Sequence, residues 1–111
     1  MLEEIRTYCL QKKHVTESLP FDKNTLVFKL HNKIFVLLRL EKVPLHITLK
    51  CNPKKALVLR EEYTQIFPGY HANKKHWNTI VVENISLVLI YKWIDDSYQL
   101  VLNGLPKKLK P

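Results

Sequence analysis

Apolar positions along the chain change their period several times, and each change marks an element. From Leu2 to Lys13 the apolar residues Leu2, Ile5, Cys9 and Leu10 fall near helical spacing, with Glu3 and Glu4 at the start and Lys12 and Lys13 at the end, a polarity that suits a helix dipole. Thr16 to Asp22 reads as a polar connection with room for a short strand through Leu19-Pro20-Phe21. Alternation then appears at Thr25–Leu30, with Leu26, Phe28 and Leu30 on one face and Thr25, Val27 and Lys29 on the other. His31-Asn32-Lys33 is suited to a tight turn, because Asn tolerates positive φ. The nearly continuous apolar run Ile34–Leu40 predicts a central strand. Leu45–Cys51 alternates again, placing Leu45, Ile47, Leu49 and Cys51 inward and His46, Thr48 and Lys50 outward.

Asn52-Pro53 is a helix start, a capping residue followed by proline at the first helical position. The helix is expected to run to Ile66, where Pro68-Gly69 ends it. A polar loop leads into a strand over Trp77–Glu83. Asn84 or Ser86 caps a last helix through Leu102, with Ile90, Ile94, Tyr98 and Val101 as its apolar stripe and Asn103-Gly104 as its stop. The order predicts one α+β domain over residues 1–111: an antiparallel β-sheet with helices packed on one face, α-β-meander-α-β-α. The other sheet face would carry Lys29, His31, His46, Thr48 and Lys50, joined by Arg39 and by exposed Phe35 and Leu37 if register holds through the central strand.

Charge adds a preference for partners. The formal net charge is +8, which attracts polyanions, acidic proteins or anionic membrane surfaces without choosing among them. Lysine outnumbers arginine fifteen to three, which favours diffuse phosphate contact over bidentate base reading. No apolar run reaches the roughly 20 residues that span a bilayer, and the N-terminus lacks the pattern of a secretory signal, so a cytoplasmic location is expected. Cys9 and Cys51 have neither the number nor the spacing of a disulfide framework or a metal site and are expected to be reduced, partly buried thiols. Cys9 and His14 would point in different directions from one helix, and adjacent Asp95 and Asp96 are expected to be solvated. With two glycines there is little scope for a phosphate-binding glycine loop. An enzyme is not expected, and no cofactor or metal is implied.

The densest candidate chemistry lies in Pro68-Gly69-Tyr70-His71-Ala72-Asn73-Lys74-Lys75-His76-Trp77-Asn78-Thr79. Asn73, Lys74, Lys75, His76 and His71 are natural phosphate ligands on such a loop. Trp77 is either a core anchor at a strand start or a stacking surface. The helix start at Asn52-Pro53-Lys54-Lys55 sets free backbone N–H groups beside two ammonium groups, a generic anion site.

The same loop, together with Leu19-Pro20-Phe21, Thr25-Leu26-Val27-Phe28-Lys29, Leu49-Lys50-Cys51-Asn52-Pro53, Ser97-Tyr98 and Leu105-Pro106-Lys107-Lys108, resembles the MmcQ/YjbR-like family of small bacterial proteins, over nearly the whole chain. The resemblance implies a frataxin-related (CyaY-like) α+β fold and DNA binding through a double-wing arrangement of β-hairpins, with no catalytic residues. Frataxin-like proteins carry acidic surface on the first helix. Here that helix has only Glu3 and Glu4 against Lys12 and Lys13, a departure that argues against an iron role.

The leading expectation is therefore a non-enzymatic domain binding nucleic acid, DNA rather than RNA, through Lys74, Lys75 and His76, assisted by Asn73 and Lys29, with Lys54 and Lys55 as a second patch. The competing expectations are a module binding a protein partner, or a weak homodimer, through Phe35 and Leu37 or the Tyr70–Trp77 loop, and a small-ligand or anion site beside Tyr70 and Trp77. The first requires the ammonium groups to gather on one side without being neutralised by acids.

Overall fold

The computed structural model describes residues 1–69 and 72–110. Among these, six strands form one antiparallel sheet: β1 (Val15–Ser18), β2 (Thr25–Leu30), β3 (Lys33–Arg39), β4 (His46–Lys50), β5 (Ile66–Pro68) and β6 (Trp77–Val81), in the spatial order β1-β2-β3-β4-β6-β5. Helices α1 (Leu2–Leu10), α2 (Pro53–Glu62) and α3 (Leu87–Asn103) pack on one face. The expected α+β architecture is the one observed.

The inward parity of each strand supplies the core. Phe28, Leu30, Leu38, Ile47, Leu49 and Ile80 are buried with Ile5 and Cys9 of α1, Ala56 and Leu59 of α2, and Ile90, Trp93, Ile94 and Val101 of α3. Ser86 caps α3 through its side-chain oxygen and Val88 N–H, as the sequence allowed.

Three elements differ from expectation. The first strand lies at Val15–Ser18, and Leu19 and Phe21 are exposed loop residues. Helix α2 stops at Glu62 with Tyr63 extended, so Ile66–Pro68 becomes the edge strand β5. Here Ile66 enters the core as the cross-strand partner of Ile80.

The third difference lies in the middle of the sheet. Val36 pairs with Phe28, yet Ile34 pairs with Lys29, so Phe35 is an extra residue in β3, a β-bulge. The bulge breaks the alternation that would have put Phe35 on the open face. Phe35 is instead fully buried and meets Tyr98 edge-on at 5.4 Å. Beyond the Val36–Leu49 pair the β3–β4 ladder opens, and Ser97 of α3 fills the gap. Its hydroxyl donates to the Phe35 carbonyl at 2.6 Å and accepts from the Lys50 N–H at 2.9 Å.

Candidate nucleic-acid interface

Antiparallel pairing decides which loops share an end of the sheet. Val15 lies opposite Leu30, Leu30 opposite Lys33, Val36 opposite Leu49 and Lys50 opposite Trp77. The α1–β1 turn, the β2–β3 turn, the β4–α2 link and the β5–β6 loop therefore emerge side by side. Those segments and their strand ends carry Lys12, Lys13, Lys29, Lys33, Lys50, Lys54, Lys55, Lys74 and Lys75, with His14, His31 and His76, and no acid of their own. The acids of the α1 start, β1, the 22–25 turn, the β3–β4 connection and the α2 end lie toward the other end. The basic end thus holds nine of the fifteen lysines, against two aspartates contributed by α3.

Local chemistry sets each loop. His31 and Asn32 have φ of 46° and 67°, the two-residue hairpin geometry that needs positive φ at both central positions. His14, also at positive φ, lies 4.9 Å from His31, ring centre to ring centre, so the first two loops touch. In the β5–β6 loop, Asn73 Oδ1 accepts from Lys75 N–H at 2.9 Å, and the His76 carbonyl accepts from Cys51 N–H at 2.7 Å, joining this loop to the β4–α2 link. The chain closes tightly there: a Cβ on Gly69 would stand 2.8 Å from Trp77 Cβ.

Arg60, which the sequence reading passed over, holds the same loop from α2. Its guanidinium donates to Asn78 Oδ1 at 2.6 Å and to the carbonyls of Lys74 and Trp77. The loop's main chain is therefore fastened while Lys74 and Lys75 stay exposed. A basic residue eight positions into a helix gives no sequence signal that it clamps a distant loop.

The predicted site residues do not all survive in their expected roles. Lys29, Lys54, Lys74, Lys75 and His76 come to the same end, together with Lys13, Lys33 and Lys50, which were not among them. Asn73 uses its side-chain oxygen on its own turn. The backbone anion site at the start of α2 is closed: Asn52 Oδ1 accepts from the N–H groups of Lys54 and Lys55, its carbonyl accepts from Ala56, and Pro53 has no N–H. Lys55 is paired with Asp96 at 2.9 Å, an ion pair that raises its pKa. Lys12 is paired with Asp95 at 2.5 Å, and Tyr8 donates its hydroxyl to the same carboxylate. Asp95 and Asp96 are thus close to half-exposed, as expected, and each is also the partner of a cation. His71 and Tyr70 lie outside the described residues.

Trp77 is half-buried and lies across from Lys50 on the parity of the open sheet face. Phe35 is absent from that face because of the bulge, which removes half of the apolar pair on which a protein-docking reading rested. Burial pushes the Cys9 thiol up to about 12 and also raises that of Cys51, so neither is a ready nucleophile at neutral pH.

The comparisons agree with this fold. A family model described as YjbR matches residues 10–100. The chain is 41% identical over 108 residues to the uncharacterized protein YbdF of Escherichia coli O157:H7, covering 96% of this chain and 88% of that one. It is 28% identical to the uncharacterized protein YjbR of Escherichia coli K12, covering 96% and 92%. A crystal structure of a Deinococcus radiodurans protein of the domain family DUF419 superposes with a TM-score of 0.90 at 33% identity, over 97% of this chain and 83% of that one. A Pseudomonas syringae protein superposes with a TM-score of 0.76 at 27% identity, over 88% and 96%. With the family match spanning most of its length and the sheet order and helices to go with it, the chain belongs to the YjbR family.

Proposed function

We propose that this protein is a non-enzymatic nucleic-acid-binding domain that lays the basic end of its sheet across a duplex. The observation that supports this reading is the convergence of nine lysines on four neighbouring loops, opposed by two aspartates. Such a concentration of ammonium groups suits a phosphate backbone, whose contacts set affinity without reading sequence.

The spacing of the two hairpins favours DNA. The β2–β3 turn and the tip of β5–β6 are three strand spacings apart in the sheet order, about 14 Å at the usual strand separation. That is close to the roughly 12 Å width of the B-form major groove, so the two tips can follow the phosphates on its two sides like a pair of wings. The β4–α2 link, with Lys50 and Lys54, would lie over the groove between them. The deep, narrow major groove of A-form RNA offers no such fit.

A salt series of duplex DNA binding tests the reading. Lys74→Ala/Lys75→Ala is expected to reduce the slope of log K against log salt by about two, since each phosphate neutralised contributes about 0.9. Lys23→Ala/Lys42→Ala removes the same charge from loops at the other end and is expected to leave the slope nearly unchanged. Equal effects from the two double variants, or none from either, would sink the proposal.

A further inference from the structure

The helix-free face of the sheet is concave, and its hollow of about 670 Å³ lies within the roughly 300–1,000 Å³ range of small-molecule pockets. One wall comes from the segment between β1 and β2, where Phe21 is 65% exposed, and the opposite wall from edge strand β5, where Phe67 is 44% exposed. Leu37 and Val81 complete the apolar lining. Two exposed aromatic rings and two part-buried aliphatic chains around one hollow amount to an apolar surface that lacks its cover.

The polar groups of the hollow narrow the class of occupant. On its floor, the Thr48 and Thr79 hydroxyls share a hydrogen bond of 2.8 Å, which leaves one hydroxyl hydrogen for an acceptor from outside. Arg39 donates two hydrogen bonds to Glu41, so that charge is matched within the protein. Asp22 accepts from Asn24 and Thr25 N–H and is likewise engaged. Burial and the neighbouring cations Lys42 and Arg39 lower the pKa of His46, which is therefore neutral at pH 7. Lys42 is left, exposed and making no ion pair among the described residues, as the cation of the hollow best placed to meet an outside anion, while Asp22 keeps its negative charge tied to its own turn.

From this arrangement we infer that the open face binds a small organic monoanion with an aromatic or branched aliphatic body. The apolar body lies between Phe21 and Phe67 over Leu37, and its carboxylate is met by Lys42 and the spare threonine hydroxyl. The hollow reaches the β5–β6 loop at Pro68 and Ala72, but its charged groups lie apart from the lysine row: Asp22, Arg39, Lys42 and His46 are toward the opposite end of the strands from Lys50 and Trp77.

Titration of the protein with 1-naphthoate, followed by amide NMR shifts at Thr48 and Thr79 and by calorimetry, tests the inference. Saturable one-to-one binding is expected, with 1-naphthalenemethanol, the uncharged analogue, binding more weakly. Lys42→Ala should weaken naphthoate about three- to tenfold and leave the alcohol unchanged, as expected for loss of a charge-assisted contact. Phe67→Ser, at an exposed position on an edge strand, should weaken both. Lys74→Ala/Lys75→Ala should change neither, and loss of naphthoate binding in that variant would place the anion on the basic loops and overturn the inference. So would absence of saturable binding below the millimolar range, full binding by Lys42→Ala, or a sedimentation profile showing a dimer that Phe67→Ser dissociates.

Discussion

Replacing Ser97 by Ala removes one oxygen atom and leaves two main-chain groups without a partner. In an unbroken ladder the Phe35 carbonyl and the Lys50 N–H would face each other directly, but the bulge separates them and the hydroxyl of Ser97 stands between. Ser97 is completely buried, so water has no route to replace it. Each orphaned group costs about 1–3 kcal/mol, and the variant should lose about 2–4 kcal/mol in all. That is a large part of the roughly 5–15 kcal/mol that holds a domain of this size together. The midpoint of thermal unfolding should fall by about 10–25 °C. Urea unfolding followed by circular dichroism is the assay, with an unchanged m-value showing that the variant still unfolds as one unit. Ser86→Ala, which removes only an exposed helix cap, is the comparison and should cost about 1 kcal/mol. A loss under about 1 kcal/mol in Ser97→Ala would mean that the sheet closes the gap by itself and that the hydroxyl is not the bridge.

Two further outcomes are expected. Asp96→Asn releases Lys55 from its ion pair, so duplex DNA affinity should rise about fivefold near 0.1 M salt and the salt slope should steepen by about 0.9; a fall in affinity, measured by fluorescence anisotropy, would contradict the assignment of Lys55 to the binding surface. Stability should also decline on the acid side. The hydrogen bond from Arg6 lowers the Glu17 pKa, and the Asn24 and Thr25 contacts lower that of Asp22. The unfolded chain therefore takes up these protons first, so their stabilisation is complete above the ordinary carboxylate range and disappears as pH falls through the folded-state values. Glu17→Gln should flatten the decline in melting temperature between pH 6 and pH 3, and a parallel, undiminished decline would exclude Glu17 as a contributor.

Much of the fold is legible in the sequence because local and tertiary preferences agree there. Thr25–Leu30 alternates cleanly and is β2 with those same bounds; Asn52-Pro53 and Ser86 cap the helices that their chemistry suggests. The misreadings occur where a neighbour overrides a local pattern. Nothing near Phe35 announces a bulge, since the residue that stabilises it, Ser97, is 62 positions away. Ile66 fits a helical continuation as well as a strand, and only the presence of Ile80 beside it decides.

The candidate site was legible in kind but not in extent. The loop at Lys74 and Lys75 stands out as a cluster in the sequence, and strand alternation puts Lys50 on one face with Lys29, but only antiparallel pairing shows that the turns at Lys13 and Lys33 emerge beside them. The same pairing could not reveal that Asp95 and Asp96, adjacent on α3, reach apart to Lys12 and Lys55. The hollow of the open face was hidden for a similar reason, its walls coming from Phe21 and Phe67, 46 residues apart.

The lopsided placement of lysines also affects how the molecule arrives at anything highly charged. With positive loops at one pole and most carboxylates toward the other, it behaves as an electric dipole and turns in the field of a polyanion before touching it. Encounters are then pre-aimed, and fewer collisions are wasted on the wrong side. The same asymmetry lets one molecule's positive pole attract another's negative one, so dilute buffer should draw copies into head-to-tail chains that ordinary salt disperses.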